Sequence, residues 1–73
     1  MKFKFTHHAN QRIFNERNIS AADIRMIIQN PDGVRYEKGG LVKCAKLLDK
    51  GELVVVYSKG RRDTYVIITA YFK

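Results

Sequence analysis

From Asp32 onward the chain is interrupted at short intervals by turn-forming residues: Asp32-Gly33, Gly39-Gly40, Asp49-Lys50-Gly51 and Gly60. Glycine supplies the positive φ that tight reversals need, and aspartate bonds its own backbone there. The runs between these breaks are rich in valine, isoleucine, threonine and tyrosine, which suit a pleated, half-buried surface. This spacing predicts strands over residues 34–38, 41–48, 53–59 and 64–72. Links this short join antiparallel neighbours.

The preceding segment has a different texture. Lys2 to Phe5 alternates cation and ring, the period-two pattern of a short strand with Phe3 and Phe5 on one side. Thr6 is placed to cap a first helix over residues 7–17, which contain no Gly or Pro and carry Ala9 and Ile13 one turn apart. A second helix starts at Ser20, with Asp23 in the capping-box position and Ile19 set to meet Ile24. Ile24, Ile27 and Ile28 form its apolar stripe, and Asn30-Pro31 ends it, because a residue before proline is pushed out of the α region. That stripe must cover a sheet. The reading is therefore a single domain over residues 1–73 of α+β class, in the order β-α-α-β-β-β-β. Two N-terminal helices pack on one face of a twisted antiparallel sheet. A chain of 73 residues has room for one modest core.

Period two splits the last strand into Val66, Ile68, Ala70 and Phe72, expected to face the core, and Tyr65, Ile67, Thr69 and Tyr71 on the other side. Its neighbour splits into Val54 and Val56 against Leu53, Val55 and Tyr57. A straight register would then gather Tyr57, Tyr65, Thr69 and Tyr71 on the face away from the helices.

Charge narrows the class of partner. Fourteen Lys and Arg against seven Asp and Glu leave a net +7, which favours polyanions or an acidic protein. Lys59, Arg61 and Arg62 form the densest cationic cluster, at the last hairpin, and with Lys43 are phosphate-binding candidates; Lys43 and Lys46 in the middle strand, and Arg35, extend a basic surface, though alternation does not put them all on one side. Cys44 is the one cysteine and has no internal disulfide partner, so it reads as a small packing residue. No run of about 20 apolar residues suggests a membrane span, and the expected setting is the reducing cytoplasm. The acidic residues show no ligand spacing, so neither a metal nor any other cofactor is expected.

Several segments together resemble a family of small, mostly uncharacterised bacterial and phage proteins. His8, Ala9 and Arg12 match its His-Ala-x-x-Arg helix; Arg17, Ile19 and Ser20 match its second helix start. Ile68, Thr69 and Tyr71 match its closing Ile-Thr-x-Tyr strand. Asn18 stands where that family commonly has glycine, a change the left-handed tendency of asparagine accommodates. The family is similar to the RelE/ParE and BrnT toxins. The resemblance implies two N-terminal helices on a twisted sheet, RNA as the target of many members and gyrase of some, and an acidic antitoxin protein as partner.

His8 and Arg12 lie four apart on the first helix and so on one side of it. RNA cleavage through the 2′-hydroxyl needs a base, cationic donors for the phosphate, and an acid for the leaving oxygen. Histidine titrates near neutrality and suits either proton-transfer role, while Arg12 suits the phosphate. Tyr57, Thr69 and Tyr71 add hydroxyls or a stacking face. These residues compose the expected site of a toxin-like, metal-independent endoribonuclease. The alternatives are a non-catalytic basic nucleic-acid-binding protein and a phage or mobile-element protein that contacts a host enzyme.

Overall fold

The computed structural model describes residues 2–16 and 18–73. Its elements follow the expected order: β1 (Lys2–Phe5), α1 (His7–Asn10), α2 (Ala21–Gln29), β2 (Gly33–Tyr36), β3 (Leu41–Leu48), β4 (Gly51–Lys59) and β5 (Thr64–Phe72). The class is α+β, with two short helices and one five-stranded sheet in the order β1-β5-β4-β3-β2.

The helix starts are set by the residues expected to cap them. The Thr6 hydroxyl accepts a hydrogen bond from the Ala9 N–H at 3.0 Å, and the Ser20 hydroxyl accepts one from the Asp23 N–H at 3.1 Å. Each satisfies one of the amides that a helix leaves unpaired at its start. The first helix departs from expectation. After Asn10 it widens into a π-helical segment over Gln11–Glu16, and the Ile19 N–H then reaches back to the Ile13 carbonyl at 2.9 Å. With this geometry Ile13 and Ile19 both sit in the core. The expected last residue of that helix, Arg17, lies outside the described residues. Asn18 adopts the left-handed φ of 53° that its place in the loop demands.

The sheet is not wholly antiparallel. β2 to β5 form an antiparallel meander, but β1 joins β5 in parallel, with Phe3 beside Tyr65 and Phe5 beside Ile67. The cause is connectivity: the helices carry the chain from one edge of the sheet to the other. Three reversals then return β5 to the starting edge in the direction of β1. Val34–Lys38 was too generous a span for β2, since Lys38 to Gly40 close the β2–β3 link as a short 3-10 turn. There Gly39 and Gly40 hold φ near 78° and 76°, where a side chain would be strained.

The β4–β5 pairing contains the feature that simple alternation missed. Val56 lies opposite Thr69, but its successor Tyr57 lies opposite Ile67, so Ile68 has no partner in β4. One extra residue in one strand of a pair is a β-bulge, and it exchanges the two faces of the strand beyond it. Tyr65, Ile67, Ala70 and Phe72 therefore face the helices, where alternation alone had assigned Val66, Ile68, Ala70 and Phe72. In β4 the inward residues are Leu53, Val55 and Tyr57.

The helices contribute Ala9, Ile13, Ile24 and Ile27 to the core, the loop between them contributes Ile19, and the sheet contributes Cys44, Leu53, Val55, Ile67 and Ala70. Ile28, the third residue of the expected stripe, is partly buried against them. Cys44 is a packing residue, as its strand position suggested, and burial pushes its thiol up to about 11. The unfolded chain loses that proton near the ordinary value of 9.0, and the folded chain holds it to about 11. The fold should therefore lose stability as pH rises across that window.

Two outcomes are expected from this core. Leu53→Ala should lower unfolding free energy by about 2–5 kcal/mol in urea titration. At pH 8, iodoacetamide should label Cys44 at least about tenfold more slowly in the native protein than in urea, because the native thiol is both buried and protonated.

Candidate nucleic-acid interface

Cys44, Val55 and Ala70 are cross-strand partners beneath the helices, so their sequence neighbours point the other way, to a face that none of the described helices covers. Register places residues on that face in rows. Arg35, Lys43, Val56 and Thr69 form one row, and Gly33, Ala45, Val54 and Tyr71 form the next. On β1 the inward rings are Phe3 and Phe5, which leaves Lys2 and Lys4 on the uncovered side beside Thr64 and Val66.

A depression of about 380 Å³ opens on this face. Its floor is Ala45 and Val54, and Gly33 contributes no side chain at the β2 end, so the row from Gly33 to Tyr71 rises from bare backbone to a phenol. Arg35, Lys43, Tyr71, Glu52 and Lys73 stand around it. Glu52 and Lys73 approach to 4.0 Å with both side chains well exposed, a pair of little energetic weight. Cations therefore dominate the face: Lys2 and Lys4 at one edge, Arg35 and Lys43 near the other. Three interstrand spacings, or roughly 14 Å, separate β1 from β3.

Asp32 holds the β2 end of this arrangement. Its N–H donates to the Ala45 carbonyl at 2.9 Å, and its carboxylate accepts from the Leu47 N–H at 3.1 Å and from the Lys46 ammonium at 3.3 Å. The Leu47 N–H foremost, and then Lys46, hold the Asp32 carboxyl below its ordinary range. Lys46 is thus committed to Asp32, while Arg35 and Lys43, side by side across β2 and β3, carry the charge of the uncovered face.

The residues expected to form a catalytic group do not meet. His8 and Arg12 are exposed on the first helix, in the layer over the covered face. Thr69 and Tyr71 lie on the opposite side of the sheet. Tyr57 is turned inward by the bulge and meets Tyr65 edge to face at 5.3 Å. Burial pushes its phenol above the usual range, with smaller contributions from Cys44, Tyr65 and Tyr36. The three tyrosines and one threonine expected on the uncovered face are reduced to Thr69 and Tyr71.

The expected phosphate-binding cluster is divided too. Lys59 lies over the Tyr65 ring at 5.9 Å, on the helix side, and Arg61 and Arg62 are exposed in the β4–β5 turn. Lys43 is the member that lines the depression. The features that sequence reasoning missed are Lys2, Lys4, Glu52, Lys73 and the open floor at Gly33. Alternation in β1 held the signal for Lys2 and Lys4; the others required the register.

Among the described residues, no three His, Cys, Asp or Glu side chains gather as a metal site requires, and no helix is long and apolar enough to cross a membrane. These features define a small α+β domain whose sheet is apolar and helix-covered on one face and basic on the other. The chain belongs to the DUF4258 family, a domain of unknown function, whose model matches residues 5–72. That agrees with the resemblance to an uncharacterised family carried by the His-Ala-x-x-Arg and Ile-Thr-x-Tyr segments. These comparisons add no support for kinship with RelE/ParE or BrnT toxins. No curated protein and no solved structure matches the chain.

If Asp32 positions β2, Asp32→Ala should speed hydrogen exchange at Gly33 to Tyr36 by about tenfold or more and leave β4 and β5 protected. Equal acceleration in all strands would show that Asp32 has no such local role.

Proposed function

We propose that this protein binds RNA through the uncovered face of its sheet. The supporting observation is the cluster of cations on that face: Lys2, Lys4, Arg35, Lys43 and Lys73 fall there, with Glu52 the acidic residue lining the depression, while Lys59 lies on the helix side. Such a face attracts a polyanion and orients it. Between the cations, the half-buried Val56 and Tyr71 offer apolar and aromatic surface for bases, while Val54 beside them is closed to solvent. This is the arrangement of an electrostatic track with a platform, and it needs no catalysis to function.

The choice of RNA as the polyanion draws on the resemblance to RelE/ParE-like proteins, to which two N-terminal helices on one sheet face also conform. An acidic antitoxin-like protein would be drawn to the same cations and would compete with RNA for them. One observation favours a second reading, a toxin-like ribonuclease. The Tyr71 phenol shares the depression with Arg35, Lys43 and Lys73, so a hydroxyl and phosphate-stabilising cations do converge, on the uncovered face and not at His8 and Arg12.

The double change Arg35→Glu with Lys43→Glu should weaken RNA binding at least about tenfold. Neutralising each with alanine should lower the slope of log affinity against log salt by about 0.7 per charge. His8→Ala with Arg12→Ala should change RNA affinity by less than about twofold, since both lie across the sheet. RNA recovered intact supports the binding reading; cleavage lost in Tyr71→Phe supports the nuclease. Loss of affinity in the His8 and Arg12 variant alone would refute both.

A further inference from the structure

We propose that the depression over Gly33, Ala45 and Val54 seats one unpaired RNA base, so that the ligand class of the uncovered face is single-stranded RNA. This rests on the reading that the face binds RNA, and it adds how the strand is held. A charged plane alone would not distinguish a single strand from a duplex, since both carry phosphates. The depression supplies the distinction. At about 380 Å³ it has the size of a small-ligand site. Ala45 and Tyr71 line it on either side of the buried Val54, so a base seated there would meet a small apolar patch and an aromatic residue.

Only an unstacked base presents a free face to that patch. In an A-form duplex each base is stacked above and below and its pairing edge is occupied, so a duplex meets a protein through its phosphates and 2′-hydroxyls. A duplex laid on this surface would touch Arg35, Lys43 and Lys73 at the rim and leave the depression unfilled. A single strand satisfies both, with its phosphates on those cations and its base between them.

The glycine makes the idea testable without altering any charge. A Cβ at Gly33 meets nothing within 4 Å, and its backbone is outside the left-handed region, so a larger residue is tolerated there, at a position that lines the depression beside Ala45. Gly33→Leu therefore adds bulk at the seat and keeps Arg35, Lys43 and Lys73 in place.

Fluorescence anisotropy at fixed salt would compare an unstructured twelve-nucleotide RNA, a twelve-base-pair RNA duplex and a twelve-unit abasic ribose-phosphate strand. Wild type should prefer the first over the other two by about tenfold or more, the scale of losing one stacked base. Gly33→Leu should remove that preference and leave duplex binding unchanged, with retention of fold checked by thermal melting. If Gly33→Leu does not fold, the abasic strand and Tyr71→Leu give the same comparison. A wild type that binds all three ligands equally, or a folded Gly33→Leu with undiminished preference, would overturn the base seat while leaving a charge-based RNA binder standing. No binding of any of the three would instead remove the RNA reading itself.

Discussion

Ile68 is the residue that β5 has and β4 does not, and the two faces of the sheet are divided by it. Without that bulge, Tyr65 and Ile67 would point away from the helices and Val66 inward. The fully buried Ile67 would then be lost from the core, and Tyr57 would lack its edge-to-face partner. A one-residue slip transfers an entire strand's side chains between core and solvent. Here the exchange occurs midway, so β5 presents Ala70 and Phe72 inward on one side of the bulge and Ile67 and Tyr65 inward on the other. Of the outward pair, Thr69 and Tyr71, Tyr71 lines the depression.

The parts of the fold legible in the sequence were those fixed by local chemistry. Ser20 and Asp23 announce a helix start because a hydroxyl three residues before an amide caps it, and the structure holds that bond. Glycines at the turns announce strand ends, and β1, β3 and β5 run over the expected residues. What escaped was set by partners distant in sequence. Nothing local in Val66-Ile67-Ile68-Thr69 marks which residue is extra, since all four suit a strand. The parallel placement of β1 follows from where the helices deliver the chain.

The candidate site shows the same division. Lys43 was identifiable as a cation in a strand, but its partnership with Arg35 is a matter of register. His8 as a proton-transfer candidate and Arg12 as a phosphate clamp share the first helix, yet the hydroxyls meant to join them are across the sheet. The spacing of two residues on one helix says nothing about which sheet face lies beneath it. Strand alternation puts Lys2, Lys4, Arg35 and Lys43 on the uncovered face, while Lys59 lies on the helix side, so part of the net +7 forms a basic patch on the uncovered face.

The claim that nucleic acid meets the uncovered face, and not the helical layer, is tested most directly by mapping contacts. A uridine-rich RNA carrying 4-thiouridine would be photocrosslinked to the protein and the attached peptides located by mass spectrometry. Crosslinks in Gly33 to Tyr36, in β3 around Lys43 and in β5 at Thr69 to Tyr71 are the predicted result. Crosslinks concentrated at His7 to Arg12, with none in those strands, would contradict the account.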